Sequence, residues 1–534
     1  MIGGLLGLQN AHSTPLTDTA SPPQKYWIFL EGRPHAPLPT TDERWTLPVA
    51  PSYVRRLRAE GVRPLVRSRW FHAVSARLSQ ETHSQVAALP FVERTQPVAR
   101  LAPAQTGVSA PPASSPEVRE RTPMRRKGPI ELGASEGPLS RINARAPLER
   151  GLNGHGVRVG FLDAHFNGLR HPAFSTLRST DRLGGLRTFT GGRQGGNHGV
   201  GVASVAVGYD PGTLVGPAYG ATVFGATTEF TQFERNVEED NFVAGLEWLH
   251  RQGVDVVNVS IGYTTFDEGE RSYSVDDLDG DTGLTTRAVD RAAQLGVTVV
   301  VSAGNSGCEN PDACWFYVNT PADADSAITV GAVAPDSSLA PFSSRGPTAD
   351  GRRKPDVVVQ GREVAAAWNA DRYARVAGTS FASPQVTGVV AQMLQVNPSL
   401  EPMQVRRLLR QTASQAHAPD TSRGWGIVNA DAAIRAAEWQ ARRSPPPTLT
   451  VSTPYSSIAS SALVVPVTAP AQTSTLRVSF LTPTGHRVHQ VERIAQPGPN
   501  WIAVAPHHLS PGLYRYVVHT DTGHHASGRV TITE

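Results

Sequence analysis

Residues 242–261 read FVAGLEWLHRQGVDVVNVSI. The first half has a helical composition and stops at Gly253, and VDVVNVSI at 254–261 is a short, apolar, valine-rich strand. The pattern recurs downstream, with a helical stretch at 285–296 that ends in glycine and then VTVVVSA at 297–303. A third apolar strand is read at 157–162. Short apolar strands separated by helices predict an α/β fold over residues 140–440, a parallel sheet with helices on both faces.

Outward from this centre the composition changes. Residues 1–21 carry a short apolar run at 2–8 with no basic residue before it. They read as a disordered end or as the remnant of a signal segment. Residues 22–102 read as a small α+β unit, opening with the strand KYWIFL at 25–30. A helix is expected at 51–61, with Ser52 as cap and Gly61 as stop, then an alternating strand at 66–78. A second helix is expected at 85–89 and a last strand at 91–98.

Residues 103–139 are a linker, rich in Pro, Ala, Ser and Thr up to position 128 and tipped by Arg125, Arg126 and Lys127. That tip is either a processing site or a solvated basic patch. ARRSPPPT at 441–448 is a second linker. Residues 449–534 hold only strand signals, seven of them separated by turn clusters, and predict a β-sandwich.

Composition excludes several classes. The chain has 534 residues, which at roughly 100–200 per domain predicts several domains. Its 2 cysteines exclude a disulfide-rich mini-fold and a multi-cysteine zinc scaffold. There is no apolar run long enough for a transmembrane helix. Net charge is +4, but residues 1–150 hold 20 Lys+Arg against 12 Asp+Glu, a balance of +8. Residues 151–534 hold the other 30 and 34, a balance of −4, so nucleic acid is not an expected partner.

Four segments within 140–440 carry chemistry. VGFLD at 159–163 is a buried strand that ends on Asp163. NHGVGVA at 197–203 starts an apolar helix at His198. VSAGNSG at 301–307 ends a strand in a Gly-Asn turn at Asn305, and AGTSFASP at 377–384 starts an apolar helix at Ser380. In an open parallel sheet, strand C-termini and the helix N-termini that follow converge on one edge, so these four can meet.

Acyl transfer needs these residue types. A serine hydroxyl is a poor nucleophile until an imidazole takes its proton, and the imidazole needs a carboxylate to fix its tautomer. The tetrahedral oxyanion needs donors, which the Asn305 amide and the Ser380 N–H at a helix start can supply. Gly378 keeps the backbone before the serine slim. Pro384 suits the first helical turn, where its missing N–H costs little. Gly262, at a bare strand end, suits pairing with an extended peptide. Singly, each segment reads as an ordinary cap or turn; in the order Asp, His, Asn, Ser they are specific.

Together these segments resemble the subtilisin-like serine peptidases of the S8 family over about residues 140–438. GTSFASP around Ser380, AGNSG around Asn305 and HGVGVA around His198 carry the resemblance. NVSIG at 258–262, PADADSAITVGAV at 321–333, FSSRGP at 342–347 and KPDVVVQG at 354–361 extend it. It implies a subtilisin-like doubly wound sheet, a triad of Asp163, His198 and Ser380, and Asn305 as oxyanion donor. Ser260, Ile261, Gly262, Ala303 and Gly304 would line the S1 region and bind substrate backbone. The chemistry implied needs no cofactor. The family often binds structural Ca²⁺, but no family calcium site maps onto this chain, and the metal content stays unknown.

Departures from the family pattern concern specificity and rate. Ala164 and His165 follow the aspartate where a small polar residue and glycine are usual, and His165 could crowd the site or tune its charge. Val200 replaces a threonine, and Ser204 replaces a common glycine.

Residues 25–100 resemble the inhibitory propeptides of the same family, closing on LPFVERTQPV. Such a unit would be an intramolecular inhibitor of a zymogen. Residues 449–534 resemble C-terminal sorting domains of the type IX secretion system of Bacteroidetes-like bacteria. FLTPTGHRVHQVE at 480–492, LSPGLYRYVVHT at 509–520 and SGRVTI at 527–532 carry that likeness, although the chain ends in Glu534 rather than in a more basic strand. A generic accessory sandwich is the other reading.

The expected protein is therefore a secreted or cell-surface bacterial serine endopeptidase with protein or peptide substrates and a tie to secretion machinery. A catalytically silent surface-binding protein and a serine esterase are the alternatives; intact Asp163, His198, Asn305 and Ser380 speak against the first. In an exported protein, Cys308 and Cys314 would close a small disulfide loop beside Asn305; otherwise they are two free thiols. The carboxylates of DDLDGD at 276–281 read as a solvated acidic loop, with Ca²⁺ as the rarer alternative.

Overall fold

The computed structural model describes residues 23–32, 47–98, 130–443 and 449–532. Short gaps fall at 167–168, 192–195, 231–232, 309–314, 370, 452–453, 458–461, 471–472, 474, 496–497 and 505–508. The chain forms two compact units, residues 1–98 and 99–534.

In the first unit, four antiparallel strands lie in the order Val66–Ser68, Ala73–Leu78, Gln24–Leu30, Val92–Pro97. Helices Pro51–Ala59 and Gln80–Ala87 contribute Val54, Leu57 and Val86 to its core, against Ile28, Val74 and Ala76. The expected strand at 66–78 is broken in two. A turn intervenes, in which Ser68 Oγ accepts the Phe71 N–H at 3.0 Å and His72 takes φ 48°. Ser52 is not a cap: the helix starts at Pro51, whose fixed φ suits the first position. The second helix starts earlier than expected, because Ser79 accepts the Thr82 N–H at 3.1 Å and caps it.

The second unit is built on the expected sheet. Seven parallel strands run in the order Val357–Gln360, Ile328–Val333, Thr298–Ser302, Val256–Val259, Arg158–Asp163, Thr222–Thr227, Leu183–Thr188. From Arg158–Asp163 the chain crosses to the edge strand Leu183–Thr188, inserts Thr222–Thr227 between the two, then passes to Val256–Val259 on the other side. The switch point therefore lies between Arg158–Asp163 and Val256–Val259, where the crevice at the strand C-termini opens.

Alternation explains the apolar runs. Val159 and Phe161 face a core shared with Val200 of helix His198–Val207 and Val386 of helix Thr379–Val396. Gly160 and Leu162 face the other way, toward Leu249 and Gly245 of helix Val237–Arg251. That helix starts before the expected 242, its first turn holding Glu238, Glu239 and Asp240, which suit a helix N-terminus. Leu132 and Leu139, from the segment read as linker, are buried in the same core. The basic tip at 125–127 lies outside the described residues. Helix Ala430–Arg443 runs three residues into the second expected linker.

The C-terminal strands form two four-stranded antiparallel sheets around a separate core that includes Val465, Leu476, Phe480, Ile502 and Val518. The seven expected strands are present, and Tyr455–Ser457 is an eighth, too short to show an alternation.

Candidate active site

Asp163 ends its strand at the sheet's switch point and is fully buried. Its Oδ1 accepts the Ala164 N–H at 2.7 Å and lies 2.6 Å from His198 Nδ1. His198 is the first residue of its helix, its side chain one-third exposed. Desolvation pushes the imidazole pKa down, but the charge and hydrogen bond of Asp163 more than offset this, so the net shift is upward.

Ser380 sits in the first turn of helix Thr379–Val396. Gly378, just before the helix, takes φ 145°, a conformation open to glycine and strained for other residues. Ser380 Oγ donates to the Ser260 carbonyl at 3.1 Å, across the switch point. The His198 ring lies 5.6 Å, centroid to centroid, from that of Phe381, the next residue on the serine helix.

Pro384 is not in the first turn, as expected, but well inside the helix. Its missing N–H would leave the Ser380 carbonyl without a helical donor. The Ser260 hydroxyl donates to that carbonyl instead, at 2.8 Å. Ser260 is bonded in turn to Ser383 and Asn258, and Asn258 to Thr387, so a buried polar network holds the serine helix on the strand end. Sequence reasoning missed this network, because its members are far apart in the chain.

Asn305 is oriented by Thr379. Its Oδ1 accepts the Thr379 N–H at 2.9 Å and the Thr379 hydroxyl at 3.0 Å, while the Gly304 N–H donates to Thr379 Oγ1 at 3.2 Å. The amide is thereby turned with Nδ2 free to donate, 3.5 Å from an ideal Cβ on Gly378. Gly304 takes φ 111°, which keeps this turn open to glycine. Thr379 was read only as part of a motif.

The other expected site residues divide. Ile261 and Gly262 lie beyond Val259, the last paired position of their strand. The Ala303 carbonyl is taken by the Asn319 N–H, and both Gly304 backbone groups bond within the protein, to Thr379 and Ser344. Backbone capacity at this edge therefore falls to 260–262, and 303–304 make a wall. His165 is buried, with its carbonyl against Gly199. Ser204 ties the His198 helix to strand Val364–Trp368, accepting the Ala367 N–H at 2.8 Å. Cys308 is in a disulfide, and Cys314 lies outside the described residues.

The acidic loop is more committed than a solvated loop. Asp277 closes a capping box with Ser274, and Asp279 accepts the N–H groups of Asp281 and Thr282 at 2.8 and 2.7 Å. A different carboxylate trio, Glu229, Glu234 and Glu238, brings ligand oxygens within 4.8 Å of one another. Two of the three already serve the protein: Glu238 accepts the Phe230 and Arg235 N–H groups at 2.7 Å, and Glu229 accepts from Tyr263 and Thr228. Burial pushes Glu234 and Glu238 up to about 7 and Glu229 well above the usual carboxylate range. No helix among the described residues is long and apolar enough to cross a membrane.

A doubly wound parallel sheet with an Asp–His pair and a helix-start serine at its switch point defines a serine hydrolase. The chain belongs to the subtilase family, whose model matches residues 154–426. A model of the peptidase S8 propeptide domain of Bacteroidota matches residues 33–111. The protein is thus a subtilisin-family serine endopeptidase with an N-terminal propeptide domain. Among curated relatives, subtilisin BL of Lederbergia lenta is 30% identical over 301 residues, covering 56% of this chain and 97% of that protein. Alkaline elastase YaB of Bacillus sp. (strain YaB) is 31% identical over 307 residues, covering 56% and 69%. Fervidolysin from Fervidobacterium pennivorans, a keratinolytic enzyme related to subtilisin, shares the fold with a TM-score of 0.55 at 21% identity, over 97% of this chain and 77% of that one.

Proposed function

We propose that the enzyme hydrolyses peptide bonds through an acyl-enzyme on Ser380, with Asp163, His198 and Ser380 as the triad. The observation that carries this reading is the 2.6 Å contact between buried Asp163 and His198 Nδ1, which leaves Nε2 as the proton acceptor. Ser380 Oγ leaves the Ser260 carbonyl, gives its proton to His198 and attacks the substrate carbonyl. The freed Ser260 carbonyl can then accept from substrate backbone along 260–262. Asn305 Nδ2 and the Ser380 N–H, in a helical turn with no intrahelical acceptor, stabilise the oxyanion. His198 returns the proton to the leaving amine, and water completes the cycle.

The reading extends to the precursor. Residues 22–102 act as intramolecular inhibitor and folding aid, the processing site lies between there and the buried Leu132, the catalytic domain runs from there to the end of helix Ala430–Arg443, and 449–534 serve export. The type IX pattern at 480–492 and 509–520 supports a sorting role for that last domain and a secreted or cell-surface enzyme. The full chain treated with a serine-directed phosphonate should carry the label on Ser380. Its termini, read by mass spectrometry, should show cleavage between about residues 101 and 130, ahead of the buried Leu132. Label on another residue, or no label, would refute the assignment.

pH gives a second check. Protonated His198 cannot accept the serine proton, so kcat/KM should rise with pH through its pKa. Because Asp163 raises that pKa, the acid limb should have its midpoint above the ordinary histidine value of 6.5. Asp163→Asn should move the limb down. A wild-type midpoint below the ordinary value would contradict the pairing.

A further inference from the structure

The last hairpin of the C-terminal sandwich sets two histidines side by side. Strands Gly512–Thr520 and His525–Ile532 pair antiparallel, and His519 stands directly opposite His525. Both are exposed, on the face away from the core that holds Tyr516 and Val518. Their rings lie 5.9 Å apart, centroid to centroid, inclined by 31°. Neither ring has a hydrogen-bond partner among the described residues. In the sequence these are two of seven histidines scattered over residues 449–534, and only the strand register brings them together.

The turn fixes the pair. The Thr520 N–H donates to the His524 carbonyl at 2.9 Å, and the His524 N–H donates to Thr520 Oγ1 at 2.9 Å. The Gly523 N–H closes the turn on the Thr520 carbonyl at 3.2 Å, with Gly523 at φ 85°. Thr520 and His524 thus form a hydrogen-bonded position, so 519 and 525, the next step along the ladder, are a non-hydrogen-bonded pair. That is the class in which Cα atoms are about 4.5 Å apart and side chains come closest. The cation beside the pair is engaged elsewhere: Arg477 stands opposite His519 on its other side, and its Nη2 lies 2.9 Å from Glu492.

Two neutral imidazoles held this way can share one ion. With a metal–nitrogen bond of about 2.0–2.1 Å, each ring centroid sits about 3.2 Å from the ion, so one ion can join rings up to about 6.4 Å apart. The observed 5.9 Å falls inside that limit. We infer that His519 and His525 bind one divalent transition-metal ion of the kind imidazole prefers, Zn²⁺, Ni²⁺ or Cu²⁺, which clips the last two strands together at their turn. Water completes the coordination. Ca²⁺ and Mg²⁺ prefer oxygen ligands and are excluded from this site. The inference does not depend on Ser380 being the nucleophile.

The untagged full chain carrying Ser380→Ala, which prevents self-digestion, is titrated with Ni²⁺ by calorimetry. It should bind one equivalent that His519→Ala and His525→Ala, made in the same background, each weaken by at least about tenfold. His486→Ala, an exposed histidine elsewhere in the sandwich, should leave that equivalent in place. Because all three positions are exposed, Tm without metal should be unchanged in every variant. Hydrogen exchange gives a second readout: Ni²⁺ should slow the amides of 512–532, EDTA should reverse this, and neither His519→Ala nor His525→Ala should show it. Equal Ni²⁺ uptake by the parent and both variants, or no uptake at all, would overturn the inference. Displacement of the Ni²⁺ by Ca²⁺ would place the ion on carboxylates and overturn it as well.

Discussion

Ser380→Ala should lower kcat on peptide substrates by about 10⁶-fold and leave the precursor uncleaved. Nothing else in the fold should change. The bond that ties strand end to serine helix runs from the Ser260 hydroxyl to the Ser380 backbone carbonyl at 2.8 Å, and alanine keeps that carbonyl. Alanine is also a good residue for a helical turn. The loss is therefore chemical: no oxygen remains for His198 to activate. Asn305 and the helix start would still favour the oxyanion, so a residual rate of about 10³–10⁴ over water is expected. Single-turnover kinetics on a p-nitroanilide and intact mass of the full chain measure both parts. Casein hydrolysis at the wild-type rate would remove Ser380 from the mechanism.

Asp356→Asn should be the most damaging single change to stability. Asp356 is fully buried and gathers three cations. Lys354 Nζ lies 3.3 Å from one oxygen, which also accepts the Thr329 N–H at 2.7 Å. The other oxygen accepts Arg406 Nε at 2.7 Å and Arg410 Nε at 2.6 Å. The cluster joins the edge strand Val357–Gln360 to helix Pro402–Thr412. Removing the carboxylate leaves the cations uncompensated in a medium that solvates them poorly, at a cost of about 3–5 kcal/mol.

The penalty should grow as the pH falls. Burial, opposed by Asp356 and reinforced by the neighbouring arginines, already pushes Lys354 down to about 7. Without Asp356 it falls further, so the two proteins differ in this charge below neutrality, where the wild type holds the proton beside a carboxylate and the variant must hold it uncompensated or shed it. Measured in the Ser380→Ala background to prevent self-digestion, Tm should drop by about 10 °C at neutral pH, by more at pH 5 and by about the same at pH 9. An unchanged Tm would show that the cations find other partners.

Much of the fold was legible in local residue patterns. VDVVNVSI and VTVVVSA predict buried parallel strands because a strand covered on both faces has no wet side to mark with polar residues. The same logic explains the misjudged boundaries. The helix at Val237–Arg251 opens with buried acids that look like solvent-facing residues, and the turn at 68–72 depends on one serine hydroxyl. The carboxylate trio 229–238 stayed invisible because its burial is tertiary.

By itself, the sequence determined the class of chemistry. Asp163, His198, Asn305 and Ser380 sit at strand ends and helix starts, and a parallel sheet brings such positions to one edge whatever fills the loops between them. It also determined the sandwich and the small N-terminal unit, because period-2 alternation and turn residues act over short range. Only the tertiary structure decided what supports and shapes the site. The Ser260 hydroxyl satisfies the carbonyl that Pro384 leaves open, and Thr379 turns the Asn305 amide. Each depends on groups tens of residues apart meeting within 3–4 Å, and no local pattern encodes which buried polar atoms find partners.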